Sequence, residues 1–267
     1  SLKTKSNKFE IMCGIVGYFG EKDSLEIILN GLKRLEYRGY DSAGIAVYNG
    51  STIACCKSKG KISKLEKNLS KRKNLNGGLG IGHTRWATHG EPNNVNAHPQ
   101  FSNSNKLCLV HNGIIENYST IKQKLIKEGF TFKSETDTEV LVNLIEYVKN
   151  KDNVKLGEAV QIALNQVIGA YAIAVIDNDK PDEIVVAKLG SPLCIGVGDD
   201  EYFIGSDVTP FIEFTKNVVY LEDGEFAIIR NHKETIYRKI ANDKIISPTV
   251  SKLELSLDKI EKQGFDH

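Results

Sequence analysis

Between residues 170 and 238 the chain breaks into short strand-like runs, at 170–176, 183–188, 193–198, 202–204, 218–221, 226–230 and 235–238. Turn residues recur every 8–12 positions or so, the spacing of an all-antiparallel arrangement. That half of the chain excludes a repeating βαβ unit, and neither a GxGxxG nor a Walker loop occurs anywhere.

The first half mixes strands with helices. Residues 13–19 read as a buried strand. Asp23 opens a helix, with Glu26 three residues on as a capping-box partner. Leu25, Ile28, Leu29 and Leu32 follow helical spacing, and Gly39 suits a stop after Arg38. Asn49-Gly50 separates strands at 43–48 and 52–57, a strong hairpin signal. A short basic helix is expected at 62–69 and a strand at 79–84, followed by a long polar loop at 85–100. Loops of that length in a compact domain usually carry function. A strand at 106–111 and a helix at 117–128 follow. Thr136-Asp137-Thr138-Glu139 is a capping box, and Leu141, Leu144, Ile145 and Val148 form the apolar stripe behind it. A last helix is expected at 156–167. The pattern is α+β, layered, with antiparallel sheets.

The 267 residues suffice for one large domain. We place it at 13–246. Residues 1–12 are polar and Lys-rich and read as a leader or pro-segment; 247–267 read as a linker. A net charge of +1 gives no reason to expect nucleic acid. No apolar stretch reaches 18 residues, so no helical membrane span is expected. Cys13, Cys55, Cys56, Cys108 and Cys194 form no CxxC pair, which favours free thiols in a reducing, cytoplasmic compartment.

Four places could carry chemistry. Were Met12 removed, Cys13 would hold a thiol and a free α-amine on one residue. An α-amine has a reference pKa of about 7.7–8.0, so it is a ready general base for the thiol. Arg85 beside Trp86, in the run His83–Gly90, can grip a carboxylate with its two-pronged guanidinium. Asn112-Gly113 offers a side-chain amide and a backbone N–H, the parts of an oxyanion hole, though Asn-Gly is also a common turn. Asp137, in a helix's first turn, can stabilise the helix or receive an ammonium group. His83, His89 and His98 match no metal-ligand spacing, and neither metal nor cofactor is expected.

Taken together, these residues resemble the class II (N-terminal nucleophile) glutamine amidotransferases. The likeness runs in order from Cys13 to the C-terminus, through Cys13-Gly-Ile-Val-Gly17, Arg34-Leu-Glu-Tyr-Arg-Gly-Tyr-Asp-Ser-Ala-Gly44, the His83–Gly90 run, Asn96-Ala-His-Pro99, His111-Asn-Gly-Ile-Ile-Glu-Asn117 and Ser134-Glu-Thr-Asp-Thr-Glu139. The Glu-Tyr-Arg-Gly-Tyr-Asp-Ser and Thr-Arg-Trp-Ala-Thr-His-Gly strings are similar to the branch that aminates fructose-6-phosphate. Amidophosphoribosyltransferases differ at both.

The resemblance implies a four-layer α/β/β/α sandwich that hydrolyses glutamine through a thioester on Cys13. Asn112 and Gly113 would hold the oxyanion, Arg85 the substrate carboxylate and Asp137 its ammonium. Thr88 and His89 would line the pocket, and Trp86 would sit at the mouth of the ammonia passage. Arg38 would lie near the nucleophile, and His98 would order the covering loop. It also implies a following sugar-isomerase domain, which alone would bring in fructose-6-phosphate, and a homo-oligomeric full-length protein. The alternatives are a glutaminase of another class II amidotransferase, such as amidophosphoribosyltransferase, and a glutamine-binding module silenced because Met12 blocks Cys13.

Overall fold

Strands that are apolar on both faces need cover on both faces, and this chain supplies it with helices outside and a second sheet inside. The computed structural model describes residues 13–87 and 89–254. The expected leader, Thr88 and residues 255–267 lie outside the described residues.

In chain order, β1 (Gly14–Phe19) leads through α1 (Ser24–Arg34) to the hairpin β2 (Ser42–Tyr48) and β3 (Ile53–Lys59), then α2 (Ile62–Leu69) and β4 (Leu79–Arg85). β5 (Gln100–Phe101) and β6 (Leu107–Ile115) begin a second sheet, followed by α3 (Tyr118–Lys127), α4 (Asp137–Asp152) and α5 (Leu156–Leu164). β7 (Gly169–Asp177) and β8 (Glu183–Leu189) extend that second sheet. β9 (Cys194–Val197), β10 (Tyr202–Gly205) and β11 (Asn217–Tyr220) return to the first. β12 (Glu225–Arg230), β13 (Ile236–Lys239) and β14 (Ile245–Ile246) complete the second sheet, and β15 (Ser251–Lys252) edges the first.

The orders are β15-β11-β9-β10-β1-β4-β2-β3 and β14-β13-β12-β8-β7-β6-β5, and every named strand pair is antiparallel. The sheet continues to Ser251–Lys252, past the end at 246 expected from sequence.

Side-chain alternation builds the layers. Ile15 and Phe19 of β1 enter the core between the sheets, while Val16 and Tyr18 pack beneath α1 and α2. In β7, Ala172, Ala174 and Ile176 face inward, and Tyr171, Ile173 and Val175 pack under α4 and α5. Three apolar interfaces therefore separate four layers: α, β, β, α. Each fully buried Ile or Leu contributes about 1.5–3 kcal/mol.

Three local expectations are revised. α1 stops at Arg34, because Leu35 N–H turns to Leu32 O (3.0 Å) and the chain tightens into a 3-10 turn over Glu36–Arg38. β6 runs to Ile115, because β7 pairs with it from Leu107 to Ile115. The capping box is half formed. Thr136 Oγ1 accepts from Glu139 N–H (3.2 Å), but the Glu139 carboxylate turns to the N–H groups of Lys133 (3.0 Å) and Ser134 (2.7 Å).

The loop before β5 lies directly on β2. A Cβ added at Gly44 would stand 2.0 Å from His98 O, so only glycine allows that approach. Gly44→Ala is expected to lower folding stability by about 1–3 kcal/mol. Urea denaturation should show it as a lower midpoint at constant slope. An unchanged midpoint would mean the loop yields freely.

Candidate active site

At one end of the sandwich the inward-facing rows turn from apolar to polar. On β4, Leu79 and Ile81 are followed by His83 and Arg85; on β6, Cys108 and Val110 are followed by Asn112. Cys13 precedes β1 in the same alternating row as Ile15. Gly14 pairs with Thr84 across β1 and β4, which sets the start of one strand beside the end of the other. A cavity of about 220 Å³ opens there. Cys13, Arg85, Trp86, Asn112, Gly113 and Asp137 line it, with His83, His98 and His111.

Cys13 is partly exposed, and its sulfur accepts the Trp86 N–H at 3.1 Å. Burial pushes the thiol pKa up. The Trp86 N–H and the Arg85 charge oppose that rise, and the Asp41 carboxylate adds to it. The thiol therefore dominates at neutral pH, and attack by this sulfur requires a base. Among the described residues, the hydrogen bonds of Sγ go to backbone groups, so no side-chain base stands on it.

Asn112 Nδ2 donates to Cys13 O at 2.8 Å. Gly113 has φ +114°, and a Cβ there would lie 2.2 Å from Ala170 O. The backbone can take this course inside a paired strand only as glycine.

Asp137 is the first residue of α4. Its Oδ2 accepts the Ile115 N–H at 2.8 Å, and Oδ1 lies 3.7 Å from His89 Nδ1. Arg85 is 3 % exposed and donates to the carbonyls of His89, Gly90 (3.3 Å) and Glu91 (3.5 Å), which ties the loop to β4. Burial lowers its pKa, while Asp41, Cys13 and Asp137 support its charge. Trp86 is 42 % exposed at the rim.

His89 stands outside the lining, behind Asp137, with its ring edge-on to Tyr118 at 4.8 Å. Arg38 also stands outside. Its guanidinium pairs with Asp207 and donates to Ser206 Oγ (3.3 Å), which accepts the Ile15 N–H (3.1 Å). Arg38 thus reaches β1 through a serine rather than through the cavity. Thr88 is outside the described residues.

Sequence reasoning singled out neither Asp41 nor Ser206. Asp41 Oδ2 accepts the Ala87 N–H (2.6 Å), and its own N–H donates to Arg85 O (2.7 Å), so it holds the segment carrying Trp86. The signal lay in the pairing of Ser42 with Arg85, which a linear reading does not reveal.

Three histidines form the cavity's inner wall. His83 and His98 stack with centroids 4.4 Å apart, and the Thr138 hydroxyl lies 2.6 Å from His98 Nε2 and 3.0 Å from His111 Nδ1. Burial lowers all three pKa values, His83 to about 3. Among the described residues no group of three or more His, Cys, Asp or Glu is disposed to hold a metal ion.

Residues 70–252 match the family model described as a glutamine amidotransferase domain. The chain is 55% identical over 257 residues to a Bacteroides thetaiotaomicron protein named glutamine–fructose-6-phosphate aminotransferase [isomerizing], covering 96% of this chain and 42% of that protein. A Chlorobaculum tepidum protein of the same name is 52% identical over 259 residues, with the same coverage. The chain thus spans about two fifths of the length of the curated relatives it matches. Among solved structures, the B. subtilis glutamine phosphoribosylpyrophosphate amidotransferase, complexed with ADP and GMP, superposes with a TM-score of 0.74. It is 30% identical, covering 87% of this chain and 50% of that one.

The histidine wall makes stability depend on pH. The folded state keeps these imidazoles neutral below the pH at which the unfolded chain, near pKa 6.5, takes up protons. Their contribution is therefore complete above about pH 6.5 and is lost as pH falls. Each neutral histidine costs about 1.4 kcal/mol per pH unit in that window. Denaturation midpoints are expected to drop between pH 7 and 5, and His98→Gln to flatten that drop. Equal slopes for both proteins would refute the assignment.

Proposed function

The chain belongs to the glutamine amidotransferase domain family, and on that premise we propose that it releases ammonia from the side-chain amide of glutamine, with Cys13 as nucleophile. The observation that carries this reading is a single small cavity that holds a cysteine, an amide donor and two opposite charges.

Glutamine presents an α-carboxylate to Arg85 and an α-ammonium to Asp137, whose negative charge also suits the N-terminus of α4. This grip rejects amides that lack the amino-acid end. The Cys13 sulfur attacks the carboxamide carbon while its proton passes to the base. Asn112 Nδ2–H and the Gly113 N–H receive the developing oxyanion. Collapse breaks the C–N bond, the base returns its proton to the departing nitrogen, and ammonia leaves a γ-glutamyl thioester. Water then attacks the thioester, and glutamate departs with the thiol restored.

The raised thiol pKa and the lack, among the described residues, of a side-chain base on Sγ favour the residue's own α-amine as base. An amide bond from Met12 removes that amine. We further infer that the ammonia serves fructose-6-phosphate in a following sugar-isomerase domain of a cytoplasmic, homo-oligomeric full-length enzyme. The curated relatives' names support the fructose-6-phosphate part of that extension, and the two-fifths coverage supports a further domain.

Glutamate release is expected from chains whose intact mass begins at Cys13, to vanish in Cys13→Ala, and to be absent while the Met12–Cys13 bond is intact. Full turnover by a chain that retains Met12 would exclude the α-amine as base. Asp137→Asn keeps an acceptor for the Ile115 N–H but removes the charge, so KM for glutamine should rise about 100-fold with kcat less affected. Steady-state kinetics with unaltered KM would remove Asp137 from substrate recognition.

A further inference from the structure

An asparagine side chain can stabilise an oxyanion only when its NH2 end faces the reaction, and its two ends have nearly the same shape. Something must select between them. The selection here comes from the opposite sheet. His83 sits on β4, fully buried, and its Nε2 has two neighbours on β6: His111 O at 3.0 Å and Asn112 Oδ1 at 2.9 Å. A backbone carbonyl only accepts, so Nε2 is the protonated nitrogen of that imidazole. The same hydrogen then needs an acceptor on Asn112, which is its oxygen. On the far side Asn112 Nδ2 meets Cys13 O, again an acceptor only, at 2.8 Å. One N–H of the amide is thereby used, and the second remains for a ligand.

We propose that His83 is a positioning residue for the hydrolysis: its Nε2–H holds the Asn112 oxygen away from Cys13 and so keeps the NH2 end turned to the reacting carbonyl. The inference rests on the glutaminase reading above. Two further features fit it. Nδ1 of His83 has no hydrogen-bond partner among the described residues, so no acceptor there competes to hold the proton on Nδ1. The ring plane is set by stacking on His98, which the Thr138 hydroxyl holds in turn. Burial also keeps His83 neutral, so its role is orientation and not proton transfer.

Two measurements test this. The first needs no activity: nitrogen-15 NMR of the imidazoles in the unsubstituted chain should show His83 protonated at Nε2 alone from pH 5 to 8. Protonation at Nδ1 would overturn the proposal even if the chain hydrolyses glutamine. Conversely, the expected tautomer in a chain that turns over no glutamine in any form would leave the orientation standing and remove the glutaminase reading.

The second compares variants of the form starting at Cys13. His83→Met removes the donor, and kcat should fall about 100-fold, the scale of losing one oxyanion donor, while KM for glutamine stays within about threefold. His83→Gln replaces Nε2–H with an amide N–H at similar reach and should restore most of the loss. In an Asn112→Ala background, His83→Met should cost less than about threefold more. Unchanged kcat in His83→Met, no recovery in His83→Gln, or full additivity with Asn112→Ala would each overturn it. Should His83→Met fail to fold, the His83→Gln variant and the tautomer decide.

Discussion

The two sheets meet through alternate residues of their strands, and the site is the place where those rows run out. Ile15, Ile81 and Val110 fill the inter-sheet core, and one end of the same rows carries Cys13, His83, Arg85 and Asn112. Polar groups set at the margin of an apolar core lose water, and each must find a partner or leave a costly vacancy. Most of them are held by one another, though ring nitrogens of His83, His98 and His111 have no hydrogen-bond partner among the described residues. The Asn112 amide joins β6 to the carbonyl of Cys13, and His83 joins β4 to both Asn112 and the backbone of His111. These hydrogen bonds fasten the two sheets where the apolar contacts end. The same contacts that satisfy the edge of the core aim its functional groups.

Charge follows the same economy of placement. Arg85 is nearly inaccessible, yet its guanidinium has loop carbonyls on one side and the carboxylates of Asp41 and Asp137 in its field. Asp137 gains from the start of α4 and from the Ile115 N–H. A cavity that holds both signs, each satisfied from behind, suits a small zwitterion better than an anion or cation alone. The Cys13 sulfur in the same cavity is held back from ionising by its burial, so in the proposed hydrolysis charge complementarity would seat glutamine and a distinct base would start the chemistry.

Much of this was legible in the sequence because it is local. Short strand-like runs set off by turn residues, and Asn49-Gly50, marked strands that the structure contains, and the Cys13, Arg85, Asn112-Gly113 and Asp137 motifs fall on one cavity. What escaped is non-local. Asp41 matters through its bonds to Arg85 and Ala87, and Ser206 through Ile15; neither pairing exists until strand register is known. Arg38 was expected near Cys13 from the resemblance alone, and its link to β1 through Ser206 is again non-local. Asn112-Gly113 reads equally well as a turn. Only the long pairing of β6 with β7 shows a strand that carries a positive-φ glycine in its middle. The half-formed box at Thr136 fails for a related reason, since Glu139 has two better donors in the loop before the helix.

The position of β1 has a consequence for how the chain is made. Although early in sequence, this strand lies inside its sheet, between β4 and β10, and its Ile15 N–H is received by a serine 191 residues further on. During synthesis β1 emerges long before the segment that seals its second edge. Until β10 has left the ribosome, β1 offers an open, apolar edge of the kind that pairs with other chains. Cys13 is thus translated well before the strand that completes its surroundings, and the growing polypeptide exposes this edge through the interval between them.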